Sequence, residues 1–346
     1  MFANIQLLRA IAAIFVIFHH IAPHYQAMGG HLKSFEIAAS WGFTGVDLFF
    51  VISGFITAHT TFHKERTFSN AKTFVRHRAS RIFLGYWPFL GFAIVLTSLL
   101  SPRSLQDFDL LGSVFLTSID INRLLLPISW SLSFELYFYA IFTLLFALPA
   151  KAAKWAIHIA LAAILLRMKF IYIDSGPQYF FFSHFLAEFF AGSVLYIHRD
   201  KLKSPWMALV FATAIPVAYA YGINWDARNN VARVITFGSG ALFIVALAIT
   251  LENCKIYKAR QWMVGIGDAS YTIYLSHLSL ISIFWYSGLR TFLSHQHMLV
   301  AEACFFLCIA AIVLISIVFY RKVELPVYRW ATGYRPTQQK LACHPA

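Results

Sequence analysis

The sequence predicts an all-α, polytopic integral membrane protein with about ten transmembrane helices and both termini in the cytoplasm. Composition is the first observation behind this. Of 346 residues, 59% are hydrophobic and only 12% charged, with 35 Phe, 16 Tyr and 9 Trp, whereas soluble domains carry roughly 25% charge. The second is repetition: apolar runs of roughly 20 residues recur along the chain, each long enough to cross a hydrocarbon core. The third is where Lys and Arg fall. With spans at about 4–22, 41–61, 82–100, 128–149, 152–173, 178–198, 205–222, 231–251, 264–288 and 297–320, 20 of the 28 cationic residues lie on one side and 8 on the other. The richer side is the cytoplasmic one. The net charge of +13 therefore follows from topology and calls for no nucleic-acid partner.

The first span, LLRAIAAIFVIFHHIAPHY, carries Arg9 and His20. No small-residue cleavage site follows it, so it is expected to be an uncleaved helix rather than a signal peptide. Ionisable groups inside a span cost about 2.5–3.5 kcal/mol each, so each needs a reason. Eleven steps of about 100° return to within about 20° of three full turns. Arg9 and His20 thus share one face, about 16 Å apart along the axis, while His19 points about 100° away. Arg9 alone fits a cation snorkelling to the inner interface, and His20 a helix-end residue in contact with water. A stripe with a cation at one end and a titratable base at the other suits a path across the membrane.

The second span, WGFTGVDLFFVISGFIT, enters from outside with Asp47 one or two turns in, and its Gly42, Gly45 and Gly54 suit close helix packing. The connection 62–81, FHKERTFSNAKTFVRHRASR, is expected to be a basic interfacial helix. Its Arg76, Arg78 and Arg81 fit either the positive-inside signal with anionic headgroups or a phosphate clamp. The connection 101–127 is expected to dip into the outer interface. The fourth span, PISWSLSFELYFYAIF, holds Glu135 about two turns down, near the depth expected for His20, with Tyr137 as a further candidate. A carboxylate beside an imidazole would hold its tautomer and raise its basicity; a structural ion pair between helices is the alternative.

Arg167, Lys169 and Asp174 crowd the short turn between the fifth and sixth spans. In the sixth, Glu188 and His184 are one turn apart and can satisfy each other. The ninth, GDASYTIYLSHLSL, sets Tyr271, Tyr274 and His277 on one face, as site residues or as hydrogen-bonding glue between helices. Cys304 and Cys308 read as small buried hydrophobes, and Cys254 and Cys343 as cytoplasmic thiols. No Cys/His cluster suggests a metal. One membrane domain is expected over 1–346, with a short cytoplasmic tail at about 321–346 and no separate soluble domain or internal repeat.

Taken together, these segments resemble the membrane-bound acyltransferase-3 family. The matches are the Arg-x10-His of LRAIAAIFVIFHH, GFTGVDLFFVISGFI, the Arg-x2-Arg of RASRI, SWSLSFELYFY, SYTIYLSH and the Glu-x-Pro of VELPVYR (Glu324, Pro326). Each is weak alone, but six in order along nearly the whole chain are specific. The opening NIQLLRAIAAIFVI is most similar to the branch that acetylates secreted exopolysaccharides. The resemblance implies a ten-helix core in a bacterial inner membrane that passes an acyl group, acetyl by analogy, from cytoplasmic acyl-CoA to a sugar hydroxyl outside. His20 would be the catalytic histidine and Arg9 its motif partner, with Arg78 and Arg81, and Arg76 beside them, holding the CoA phosphates. Glu135 would belong to the acceptor-side site; beside the resemblance, the polar residues read from the spans, Asp47, Tyr137, Glu188, Tyr271, Tyr274 and His277, are candidate supporting residues, with Glu135 or Asp47 expected to orient His20. No permanently bound cofactor is implied; the partners are acyl-CoA, a polysaccharide or lipid-linked sugar, the bilayer and polysaccharide synthesis machinery. One departure is Leu84, where the family commonly has proline, although Tyr86 is kept. The competing readings are a transporter that uses the intramembrane charges as a substrate or proton path and a non-catalytic scaffold.

Overall fold

The structure, a computed structural model, describes residues 2–28, 30–100, 104–118, 120–171, 180–224, 231–294 and 296–333. Every regular element among them is a helix. Asp174 and Cys343 lie outside the described residues.

Helices α1 (Ala3–Ala27), α2 (Lys33–Trp41) and α3 (Gly45–Thr61) open the chain, α2 and α3 being joined through a tight turn at Gly42–Thr44. Next comes α4 (Phe68–Leu100), followed by the short α5 (Leu110–Phe115), α6 (Trp130–Leu144) and α7 (Ala150–Phe170). Further helices are α8 (Phe185–His198), α9 (Pro205–Asn224), α10 (Val231–Asn253), α11 (Gln261–Asp268), α12 (Ser270–Phe284), α13 (Met298–Phe319) and α14 (Leu325–Thr332), with a short helix at Arg290–Ser294 before α13.

Seven helical stretches are long and apolar enough to span a bilayer: Ala3–Ala27, Lys33–Thr61, Phe68–Leu99, Pro127–Ala147, Pro205–Gly222, Val231–Asn253 and Leu299–Thr332. The other three expected spans are helical too, but each falls short for a visible reason. Helix α7 carries Lys151, Lys154, Arg167 and Lys169, α8 is 14 residues long, and the ninth span is broken at Ala269 into α11 and α12. One expected boundary also disappears. From Phe68 onward the basic connection and the third span share the single helix α4, and Leu84, unlike a proline, leaves its backbone uninterrupted there. Within the expected cytoplasmic tail, residues 321–332 are helical, running through a wider turn at Tyr320–Glu324 into α14.

Helix α1 is the wedge of the bundle. Ile5, Ala12 and Val16 join a core with Phe50, Phe134, Phe138, Phe185 and Phe189 of α3, α6 and α8. Ala13, Ile17 and Ile21 join a second core with Phe35 of α2, Ile273 and Ile281 of α12 and Phe305 of α13. Arg9, between these faces, is held in the seam. On the outside, α9 and α13 expose Trp206, Leu209, Val217, Leu307, Leu314 and Val318, an apolar surface suited to lipid.

Gly42, Gly45 and Gly54 do mark close packing, as expected. A Cβ at Gly42 would lie 2.1 Å from the Phe15 carbonyl oxygen, and one at Gly45 2.6 Å from that of Ala12. Between α3 and α8 the contact is reciprocal: a Cβ at Gly54 would be 1.8 Å from Phe189 O, and one at Gly192 2.0 Å from Val51 O. Backbones this close leave no room for a methyl group. Gly54→Ala is therefore expected to force the helices apart and lower stability by about 1–3 kcal/mol. Thermal unfolding in detergent checks this, and an unchanged midpoint would contradict the packing.

Candidate active site

A cavity of about 570 Å³ lies between α1, α3, α4, α6, α12 and the turn at Tyr320–Glu324. Along α3 it is lined from Thr60 to Val46, about 21 Å of helix rise. Lys64, His77 and Tyr328 line one end, and Val46, Phe49, Phe50, Ser131 and Tyr274 the other. Between them lie Arg9, Arg78, Arg81, Glu135, Tyr139, Asp268, Tyr271 and Glu324.

Close packing sets this middle zone. Gly267, whose Cβ would be 2.0 Å from Gln6 O, lets α11 press against α1. Asp268 Oδ1 then accepts from Gln6 Nε2 at 2.9 Å, and Gln6 Oε1 accepts from Arg9 Nη1 at 3.1 Å. Across the cavity, Tyr271 packs on Gly85 and donates to Ile82 O at 2.9 Å, joining α12 to α4. Thr272 donates to Glu324. Glu135 accepts from Ser53 Oγ at 3.0 Å and from the Tyr139 hydroxyl. Arg78 Nη2 donates to Thr60 Oγ1 at 2.7 Å, with its guanidinium 5.0 Å from the Tyr139 ring centre. Arg81 faces the cavity without a hydrogen bond to any of the described residues. A guanidinium aimed into a cavity with its donors unengaged suits an anionic ligand.

His20 is not part of the cavity wall. Its Nδ1 is 2.9 Å from Val16 O and 3.3 Å from Nε2 of the buried His277, and the two rings are 4.9 Å apart. His277 Nδ1 lies 2.5 Å from Tyr274 O. Tyr274 connects the two zones: its ring packs 5.8 Å from Phe49 at the cavity end, and its hydroxyl meets Ile128 O at 3.0 Å and Ser131 Oγ at 2.9 Å.

Several expected placements need correcting. Glu135 does not orient His20, because it lies at a different depth. The His19 ring is 6.1 Å from Phe43, in the turn before α3, whereas Glu135 bonds Ser53, eight residues and about 12 Å into α3 from Gly45. Asp47 does not reach His20 either. Arg233 of α10 grips it, Nε to Oδ1 and Nη2 to Oδ2, both at 2.8 Å, while that guanidinium sits over Phe43 and Phe185. Glu188 is buried beside this pair and against Gly238, and the His184 ring lies 4.5 Å from Phe185. Tyr137 donates to Phe181 O at 3.0 Å and lies outside the cavity, where Tyr139 lines the wall instead. Arg76 is exposed and donates to Ala331 O at 2.8 Å, tying α4 to α14.

Four residues that shape these sites were not singled out from the sequence: Tyr139, Arg233, Gln6 and Asp268. Tyr139 stands four residues after Glu135, the spacing that brings helical side chains together. Arg233 and Asp268 were ionisable groups inside expected spans, the same signal that drew attention to Arg9.

A protein-family model described as an acyltransferase domain matches residues 2–321. The chain belongs to the acyltransferase-3 family. It is also 27% identical over 310 residues to the exopolysaccharide production protein ExoZ of Rhizobium meliloti (strain 1021), covering 86% of this chain and 92% of that protein. No solved structure matches it significantly. In this acyltransferase-3 chain, residues from all six motifs converge on one cavity, among them Arg9, Arg78, Arg81, Glu135, Tyr271 and Glu324, and His20 lies beyond its apolar end.

Proposed function

We propose that the protein transfers an acyl group, acetyl in preference, from cytoplasmic acyl-CoA to a hydroxyl of an exopolysaccharide or its lipid-linked precursor on the outer side of a bacterial inner membrane. The observation that carries this is the cavity itself, which leads from free and half-engaged guanidiniums to an apolar end beside a histidine pair. In this proposal the chain crosses the membrane ten times with both termini inside, so the Lys64–His77 end faces the cytoplasm. The CoA phosphates rest on Arg78 and Arg81, and Arg9 lines the path of the pantetheine arm. The thioester passes Phe49 and Tyr274 to reach His20.

There, His20 Nε2 takes the proton of the acceptor hydroxyl as its oxygen attacks the thioester carbonyl carbon. The tetrahedral intermediate collapses to the ester with loss of the CoA thiolate, which receives that proton from His20 as a thiol. An oxygen ester replaces a thioester, and no redox partner is needed.

Vesicles with the purified protein in one orientation test this. Labelled acetyl-CoA is supplied on the Lys64 side and a polysaccharide acceptor on the other. Alkali-labile label on the acceptor supports transfer across the bilayer. A folded protein that neither binds nor consumes the thioester would overturn the proposal in favour of a transporter.

Arg81→Ala is expected to raise KM for acyl-CoA by about 10–100-fold, since a charge-assisted hydrogen bond contributes about 1.5–3 kcal/mol. Arg81 also lies in the field of Glu135 and Glu324, so the variant is compared with wild type at matched levels of folded protein. Steady-state kinetics in membranes checks this, and an unchanged KM would remove Arg81 from the donor site.

A further inference from the structure

We infer that His277 is the positioning residue of a histidine dyad, doing for His20 what a carboxylate does for the histidine of a catalytic triad. This rests on His20 being the base. The hydrogen-bond partners assign the tautomers. His277 Nδ1 lies 2.5 Å from Tyr274 O, an acceptor only, so Nδ1 carries the proton and Nε2 is a bare lone pair. His20 Nδ1 faces two acceptors, Val16 O at 2.9 Å and that lone pair at 3.3 Å. Its Nδ1–H donates to both, and Nε2 of His20 is left unprotonated. An imidazole held in this tautomer has its basic nitrogen pointing away from its supports, the arrangement that general-base chemistry uses.

The second imidazole also matters after proton transfer. When Nε2 of His20 takes the hydroxyl proton, the ring becomes a cation whose Nδ1–H still donates to His277 Nε2 and Val16 O. These acceptors stabilise the imidazolium without adding a buried negative charge. A carboxylate at this fully buried spot would need its own counter-ion, and Glu135 and Asp47 are committed elsewhere. The dyad also links the base to the cavity end, because the residue whose carbonyl orients His277 is Tyr274, which packs on Phe49.

Two amide substitutions separate a positioning role from a structural one. His277→Gln places its terminal amide where Nε2 stood, so its oxygen can accept from His20. His277→Asn places its amide where Nδ1 stood, keeping the Tyr274 contact but leaving His20 unsupported. We expect His277→Asn to lower kcat about 10²-fold with KM for acyl-CoA within twofold, the loss expected when a general base is misplaced. His277→Gln should recover at least tenfold of that. Equal losses, or an asparagine variant more active than the glutamine one, would make His277 helix glue and overturn the dyad. His20→Ala is assayed in parallel: if it retains activity, the base assignment itself fails, whereas an inactive His20→Ala beside a fully active His277→Asn sinks the dyad alone.

Discussion

Replacing His20 by alanine is expected to cut ester transfer by about 10²–10⁴-fold, the range for loss of a general base. KM for acyl-CoA should stay within about twofold, because the proposed donor contacts are Arg78 and Arg81 and His20 lines none of the cavity. A sugar hydroxyl is a poor nucleophile until its proton is removed. Beyond the cavity's apolar end, His19 and His20 each keep one ring nitrogen open, but His20 is the one that shares the face of Arg9 and meets the buried His277. The measurement is the ester-linked acyl content of surface polysaccharide in a strain lacking the protein. That strain is complemented with wild type or His20→Ala at matched membrane levels. Equal restoration would reduce His20 to a helix-end residue. Restoration by wild type alone would explain why one helix carries both Arg9 and His20: the donor arrives from one side and the acceptor from the other.

What the sequence made legible was local and periodic. The Arg9–His20 stripe follows from helical geometry alone, and the wedge position of α1 gives it meaning. The glycines of the second span announced close packing, and they sit against the backbones of α1 and α8. Relations between helices were harder to read. Counting from span ends puts Glu135 level with His20, but an error of one turn at each end accumulates to about 11 Å. The partner of Asp47 lies 186 residues away, beyond any periodicity. The phase of α6 was equally hidden, since Tyr137 and Tyr139 both fit an amphipathic pattern and only packing decides which lines the cavity. Span number was blurred because hydropathy averages over the break at Ala269, where the chain turns from α11 into α12 and brings Asp268 to Gln6.

Arg233→Gln is expected to be the most destabilising single change in the bundle, by about 3–5 kcal/mol, because it strands buried charge. Asp47 is fully buried and Arg233 nearly so, and the two are joined by paired hydrogen bonds. Glu188, buried beside them, makes the two halves of the pair unequal. After Asp47→Asn, Arg233 still has a carboxyl group within electrostatic reach, so Glu188 can supply the missing negative charge. After Arg233→Gln, two carboxyl groups face each other with no cation between them. Asp47→Asn should therefore be the milder change. The double variant should cost less than the sum of the two, as for residues in direct contact. Thermal unfolding of the purified variants in detergent, with membrane levels as a second readout, gives all three values. Equal effects from the two single variants would mean that Glu188 cannot reach the guanidinium. Unchanged stability with a raised KM for the acceptor would mean that Asp47 and Arg233 are not a clamp between α3 and α10 but the floor of the sugar site.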